Sequence, residues 1–155
     1  MNELIRRLRI YLDTSVPNCL FVADFRLPHT VRFWENCQAD MYDIFVSDVF
    51  LDELGDCPQP KLDWMRKRLD AINYVVLKET EEVQTLAIEY IKAGVFREQD
   101  YNDGLHVAYA VIAHCDFVVS WNFTHLVKRD TIEGVKVVNA INRYKAIGIA
   151  PPAMF

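Results

Sequence analysis

The sequence predicts an α/β fold built around a mainly parallel central sheet. Short strand-like runs alternate along the chain with amphipathic stretches of helical period. The helical stretches run to roughly 8–15 residues, the length of crossovers that return the chain to a parallel neighbour. No internal repeat, low-complexity tract or linker interrupts the alternation, so residues 1–155 are expected to form one domain.

The elements follow in order. RIYLD at 9–13 reads as a buried strand. TSVPNCLFVAD follows as a helix, with Thr14 or Ser15 as N-cap and Pro17 near its first turn. Pro28 opens a second helical stretch, PHTVRFWENCQ. DIFVS at 43–47 reads as the second strand, with the short helix DVFLDEL behind it. CPQP at 57–60 is a turn. KLDWMRKRLDAI is an amphipathic helix and YVVL at 74–77 a third strand. TEEVQTLAIEYIKAG is a helix with every terminal signal. Thr80 caps it, Glu81 and Glu82 sit at the positive end of the dipole, and Gly94 stops it. DGLHVAYAVIAHC is the next helix and DFVVS at 116–120 the fourth strand. VKVVN at 135–139 reads as a fifth strand, and IGIAPPAMF as an extended surface segment.

Bulk composition narrows the class. A hydrophobic fraction of 52% with 25% charged residues fits a globular protein with a sizeable core rather than a disordered chain. No apolar run approaches the roughly 20 residues that span a bilayer. The N-terminal MNELIRRLRIYLD carries Glu3 and lacks an apolar segment with a cleavage site, so it does not read as a signal peptide. Cys19, Cys37, Cys57 and Cys115 include no C-x-x-C pair, so zinc-knuckle and thioredoxin readings are weak. Reduced thiols and a cytoplasmic protein are expected. A net charge of −5 argues against broad binding to nucleic acid through a basic surface. A nucleic-acid substrate stays open, because a metal can neutralise an acidic site locally.

Three acids stand out. Asp13 closes the first strand, Glu53 lies just after the second in VSDVFLDEL, and Asp103 opens the helix that feeds the fourth. Ligands of open α/β sheets bind outside the carboxyl ends of the strands. The predicted topology places Asp13, Glu53, Asp103 and Asn122 on that rim, with Asn122 just beyond Ser120 at the end of the fourth strand. Two carboxylates about 5 Å apart at an effective dielectric of about 20 repel by roughly 3 kcal/mol. Three such pairs approach about 10 kcal/mol, comparable to the stability of a domain. Such a cluster takes up a proton or binds a cation. An all-oxygen set favours Mg²⁺ or Mn²⁺ over zinc. Ions held in this way activate water against phosphodiesters.

YLDTS, VS-x5-E, D-x2-HVAYA and DFVVSWNFTHL, in this order across nearly the whole chain, resemble the PIN-domain nucleases, in particular the VapC-type toxins of VapBC toxin–antitoxin pairs. The resemblance implies a PIN-like, Rossmann-like three-layer α/β/α domain with Mg²⁺- or Mn²⁺-dependent ribonuclease activity. It also implies homodimerisation and inhibition by a protein antitoxin, and no membrane partner. By position Asp13, Glu53 and Asp103 match the metal-binding acids, and Asn122 joins them as a catalytic position. Many family members carry aspartate where this chain has Asn122. Asparagine offers a carbonyl oxygen but no charge, and Asp100, one turn before Asp103, could compensate.

Other residues carry two readings each. Asp13 could cap a helix, Glu53 could belong to a solvated face with Asp48, Asp52 and Asp56, and Asp103 could simply favour a helix N-terminus. Thr14, Ser15, Asp100 and Ser120 are candidate supports of the acidic site. His106 reads as a packing residue, or as a support to a ligand, rather than as a general base. His125, Lys128 and Arg129 are candidate contacts to RNA phosphates or a solvated basic turn. Trp121 offers base stacking or core packing. Asp116 reads as a structural turn residue at the opposite sheet edge. A PIN scaffold that binds RNA or protein without cutting is the alternative function. A phosphatase with an aspartate nucleophile needs a second acid where this chain has Ser15.

Overall fold

The strand-like runs pair into one parallel sheet, seen in a computed structural model that describes residues 6–155; Glu3 and its neighbours at 1–5 lie outside the described residues. The strands are β1 (Arg9–Leu12), β2 (Asp43–Ser47), β3 (Val75–Leu77), β4 (Phe117–Val119) and β5 (Gly148–Ala150), in the order β3-β2-β1-β4-β5. All four pairings are parallel. Tyr11 in the central strand stands opposite Phe45 on one side and Val118 on the other.

Alternation along these strands divides the core in two. Tyr11, Phe45 and Val118 point into one apolar cluster, with Tyr90, Val107, Ala110 and Val135 from the helices on that face. Ile10, Leu12, Ile44, Val46 and Val119 point into the other, with Phe33, Trp34, Phe50 and Met65. Successive strand residues face opposite sides, so a run buried on both faces needs a helical layer on each. α2 (Arg26–Gln38), α3 (Asp48–Gly55) and α4 (Lys61–Asp70) cover one face; α5 (Glu81–Lys92), α6 (Tyr101–Ile112) and α7 (Arg129–Ile141) cover the other. Each fully buried Ile, Leu or Phe contributes roughly 1.5–3 kcal/mol relative to exposure.

Two expectations are corrected. Residues 135–139 are helical, inside α7, and the fifth strand is Gly148–Ala150. Thr131, Val135 and Val138 are buried while Val137 is 57% exposed, which is helical rather than alternating spacing. The segment read as surface chain instead pairs with β4, and Ile149 is buried. Gly148 permits this approach, because a Cβ there would lie 2.4 Å from the Phe117 ring. The first helix is also shorter than expected. α1 (Ser15–Asn18) passes into a single 3-10 turn, Cys19–Phe21. α2 begins before Pro28, which sits in its first turn, and α6 begins before Asp103.

The terminal signals of α5 hold. Thr80 accepts from Val83 N at 3.3 Å, and Gly94 follows α5 with φ of +76°. The four cysteines are free, and burial pushes the thiols of Cys37 and Cys115 up to about 12. No helix of the described residues is long and apolar enough to cross a membrane.

Candidate metal centre

β1 and β4 are neighbours at the point where the winding of the sheet reverses, with β2 and β3 to one side and β5 to the other. Ligands of such sheets sit outside the carboxyl ends of the strands at this reversal. Asp13 directly follows β1 and Ser120 directly follows β4. Asp13 N donates to Val119 O at 3.0 Å, which fixes its backbone against β4. Its Oδ2 accepts from Ser15 Oγ at 2.6 Å and Ser120 Oγ at 2.7 Å. The hydroxyls are held in turn, because Trp121 N donates to Ser15 Oγ and Asn122 N donates to Ser120 Oγ, both at 2.9 Å. Asp13 is 5% exposed. A carboxylate buried so far is costly unless it is hydrogen-bonded. Its second oxygen, Oδ1, faces His106 Nε2 at 3.8 Å.

Thr14 and Ser15 do not cap α1, contrary to expectation. Their hydroxyls are spent on the acids instead. Ser15 serves Asp13, and Thr14 Oγ1 donates to Glu53 Oε2 at 3.0 Å.

Glu53 reaches the same place from α3. Ser47 ends β2 and caps α3, its Oγ accepting from Phe50 N at 3.1 Å, which sets the direction of the helix. Glu53 Oε1 accepts from His106 Nε2 at 2.6 Å. His106 is fully buried in α6, and its Nδ1 lies 2.6 Å from Tyr11 Oη. Burial pushes its pKa down, but the hydrogen bond to Glu53 and the charges of Asp13, Glu53 and Asp103 outweigh this and hold it above the ordinary value. His106 thus bridges Asp13 and Glu53.

Asp103 lies in the first turn of α6 and takes a second histidine. Its Oδ2 accepts from His125 Nδ1 at 2.8 Å, with Asp100 Oδ1 at 3.8 Å from the same nitrogen. Burial, then repulsion from Asp13, raises the Asp103 pKa above the usual carboxylate value. Asp100 is lowered, chiefly by its hydrogen bond from Arg97 Nε at 2.8 Å. Asp100, Asp103 and His125 each offer a ligand atom within 4.8 Å of the others, a group able to hold a metal ion. Asp13, Glu53 and Asp103 are not drawn into so tight a group among the described residues. Glu53 turns to His106 and Asp103 to His125.

Asn122 builds the turn between these parts. Its Oδ1 accepts from His125 N at 2.9 Å, and its backbone oxygen accepts from Leu126 N and Val127 N. The turn carries His125 back to Asp103. His125 therefore points into the acidic group, a placement that its sequence position beside Lys128 and Arg129 did not suggest. Arg129 is exposed and pairs with Glu133 at 3.1 Å. Lys128 and His125 line a groove of about 310 Å³ with Arg97, Asp100 and Thr124. A groove of about 350 Å³ on the other flank is lined by Thr14, Ser15, Asn18 and Glu53. A larger one of about 400 Å³ lies at the amino ends of β1–β3, around Arg7, Arg9 and Asp43, away from the acids. Trp121 is buried, its Nε1 donating to Thr30 Oγ1 at 2.9 Å, so it packs rather than presenting a free face.

The donor chemistry fits a divalent ion. Asp13 and Glu53 offer oxygens, which suit Mg²⁺ and Mn²⁺, while His125 adds an imidazole that the all-oxygen expectation lacked.

No family model and no curated protein matches this sequence. Among solved structures, the crystal structure of VapBC2 from Rickettsia felis bound to a DNA fragment from their promoter matches with a TM-score of 0.54 at 12% identity, over 93% of this chain and 98% of that one. The likeness is one of fold: this chain has the five-stranded, all-parallel α/β fold, flanked by helices, of PIN domains.

Proposed function

We propose that residues 1–155 form one PIN domain that is a Mg²⁺- or Mn²⁺-dependent endoribonuclease, the toxin of a VapBC-type pair. One observation carries the reading. At the sheet reversal Asp13 keeps one oxygen bound by two serines and turns the other toward His106, whose Nε2 also holds Glu53. Asp13, Glu53 and Asp103 would hold the ion, with Asp100 and His125 at its edge. The ion supplies Lewis acidity and an acidified water for attack on the phosphodiester. Thr14, Ser15 and Ser120 orient the carboxylates. Asn122 holds the turn that presents His125. Lys128 lines the groove beside the acids and would meet an RNA phosphate, with Arg129 exposed beyond it. A single strand of RNA would cross the rim between the two flanking grooves. A protein antitoxin would cover the same rim, where an entering arginine would neutralise the acids as a cation does. Homodimerisation and a cytoplasmic location complete the proposal.

The test is cleavage of RNA in Mg²⁺ or Mn²⁺, with and without EDTA. Wild type cleaves only with metal, and Asp13→Asn abolishes cleavage. Activity that survives Asp13→Asn would sink the mechanism.

A second reading has one observation in its favour. Asn122 brings no charge, and its carbonyl oxygen is engaged by His125 N–H. A PIN scaffold weak in catalysis would retain RNA without cutting it. Binding of intact RNA in Mn²⁺, with cleavage appearing only in Asn122→Asp, would favour that reading.

A further inference from the structure

A phenyl ring gains by burial, yet Phe25 and Phe123 are left 68% and 48% exposed. Single exposed apolar side chains are ordinary. These two meet on one buried ring. The centroid of each lies 6.0 Å from that of Trp121, with the planes at 89° and 68°. His29 is a third ring on the same indole, its centroid 6.3 Å away.

Hydrogen bonds fix this cluster to the candidate metal centre. Trp121 Nε1 donates to Thr30 Oγ1, which donates in turn to Arg26 O at 2.7 Å in the first turn of α2. Phe25 is the N-cap residue of that helix. Trp121 N donates to Ser15 Oγ, and Ser15 Oγ donates to Asp13 Oδ2. Phe123 stands two residues on, its N–H donating to Trp121 O at 3.0 Å. Both exposed rings are thus carried on a support that is tied to the acid closing β1. Rings ordered before a ligand arrives lose little freedom when it lands on them.

Charge around the rim says which ligand suits them. The chain carries a net charge of −5. Arg26, Arg97 and Arg129 each pair with a carboxylate, from Asp24, Asp100 and Glu133 respectively. A strand held through its phosphates alone needs several available cations. Here the bases have to contribute. Aromatic rings stack on any unpaired base, because every base has a π-face, and each such contact is worth about 5–150-fold in affinity.

We infer that Phe25 and Phe123 are a stacking platform for unpaired RNA bases beside the phosphate that the metal centre holds. This rests on the reading of the rim as an RNA site. Trp121 is the buried support of the platform, and the two phenyl rings are the surfaces that meet the bases.

The experiment measures binding by fluorescence anisotropy in an Asp13→Asn background, in which RNA stays intact, and cleavage in Mn²⁺ without that substitution. The probes are a short oligoadenylate and an abasic strand of equal length. Phe25→Leu and Phe123→Leu keep an apolar side chain and remove the π-face, whereas Phe25→Trp and Phe123→Trp keep the π-face. Circular dichroism confirms that each variant folds. The parent is expected to bind oligoadenylate at least about 5-fold more tightly than the abasic strand. Each Leu variant loses about 5–150-fold for oligoadenylate, keeps its affinity for the abasic strand, and raises KM for cleavage more than it lowers kcat. Each Trp variant binds oligoadenylate as the parent does. Equal affinity of the parent for the two probes, or Trp variants as weak as the Leu variants, overturns the platform. Leu variants that bind oligoadenylate like the parent also overturn it and assign the exposed rings to a protein partner. In each of these cases Mn²⁺-dependent cleavage leaves the nuclease reading standing. Base-dependent binding that the Leu variants lose, with no cleavage, supports the platform and overturns the nuclease reading. Neither binding nor cleavage overturns both.

Discussion

Ser120 Oγ donates to Asp13 Oδ2 at 2.7 Å and ties the carboxyl end of β4 to that of β1. The same oxygen accepts from Asn122 N, so one hydroxyl holds the buried acid and the start of the turn that carries His125. Ser120→Ala removes both. The expected loss is about 1–3 kcal/mol, the cost of leaving buried groups unpaired. Urea denaturation measures it; a loss below a few tenths of a kcal/mol would show that the tie is incidental.

Asp116 is predicted to govern part of the acid limb of stability. Burial pushes its pKa up, but the Arg9 N–H at 2.8 Å and the Arg6 and Arg9 guanidinium groups more than offset this and hold it below the usual value. A carboxyl lowered in the folded state stabilises above its unfolded pKa of about 3.9, and that contribution is lost as pH falls through the folded value. Asp116→Asn is therefore less stable than wild type at pH 7, and the gap closes in strong acid. Melting curves across pH check this. A gap of constant size would mean that the charge is not its source. Arg6 is 64% exposed, so salt weakens its share.

Gly148→Ala is predicted to lower stability by about 1–3 kcal/mol through overpacking. The added methyl meets Phe117 Cδ1 and Cε1 at 2.4 Å, and that ring is backed by Phe155, with centroids 5.1 Å apart. A wild-type denaturation midpoint in Gly148→Ala would show that β5 can shift away from β4 at no cost.

Asn122→Ala is predicted to loosen the turn without unfolding the sheet. His125 N loses the carbonyl that orders it, and the His125–Asp103 pair loses definition. Faster amide exchange at residues 123–127, with β1 and β4 unchanged, is the expected pattern. Exchange spreading into β4 would contradict it.

Much of the fold could be read from local pattern. DIFVS spans β2 residue for residue, and the caps of α5 sit where Thr80 and Gly94 placed them. Those signals are local chemistry, so no tertiary contact was needed to see them. β5 escaped because three residues carry no period, and its burial depends on Phe117 across the sheet. α7 was misread at 135–139 because valines favour strands, whereas Val135 and Val138 are one helical turn apart on the buried side. The rim position of Asp13, Glu53 and Asp103 followed from strand order alone. Which hydroxyl or histidine each acid takes did not. Tyr11 packs in the core through its ring and reaches His106 with its tip, and His125 arrives through a turn set by Asn122. The Tyr11–His106 and His125–Asp103 contacts join residues 95 and 22 positions apart, beyond the reach of a local pattern.

The account stands most directly on whether Asp13 belongs to a cation site. A ligand at 100 times its dissociation constant stabilises a fold by about 2.7 kcal/mol, a melting shift of several degrees for a chain of this size. Thermal melts of wild type and Asp13→Asn with rising Mn²⁺ measure it. Wild type is predicted to climb by several degrees and Asp13→Asn to stay flat. No shift in wild type, or an equal shift in both, would contradict the account.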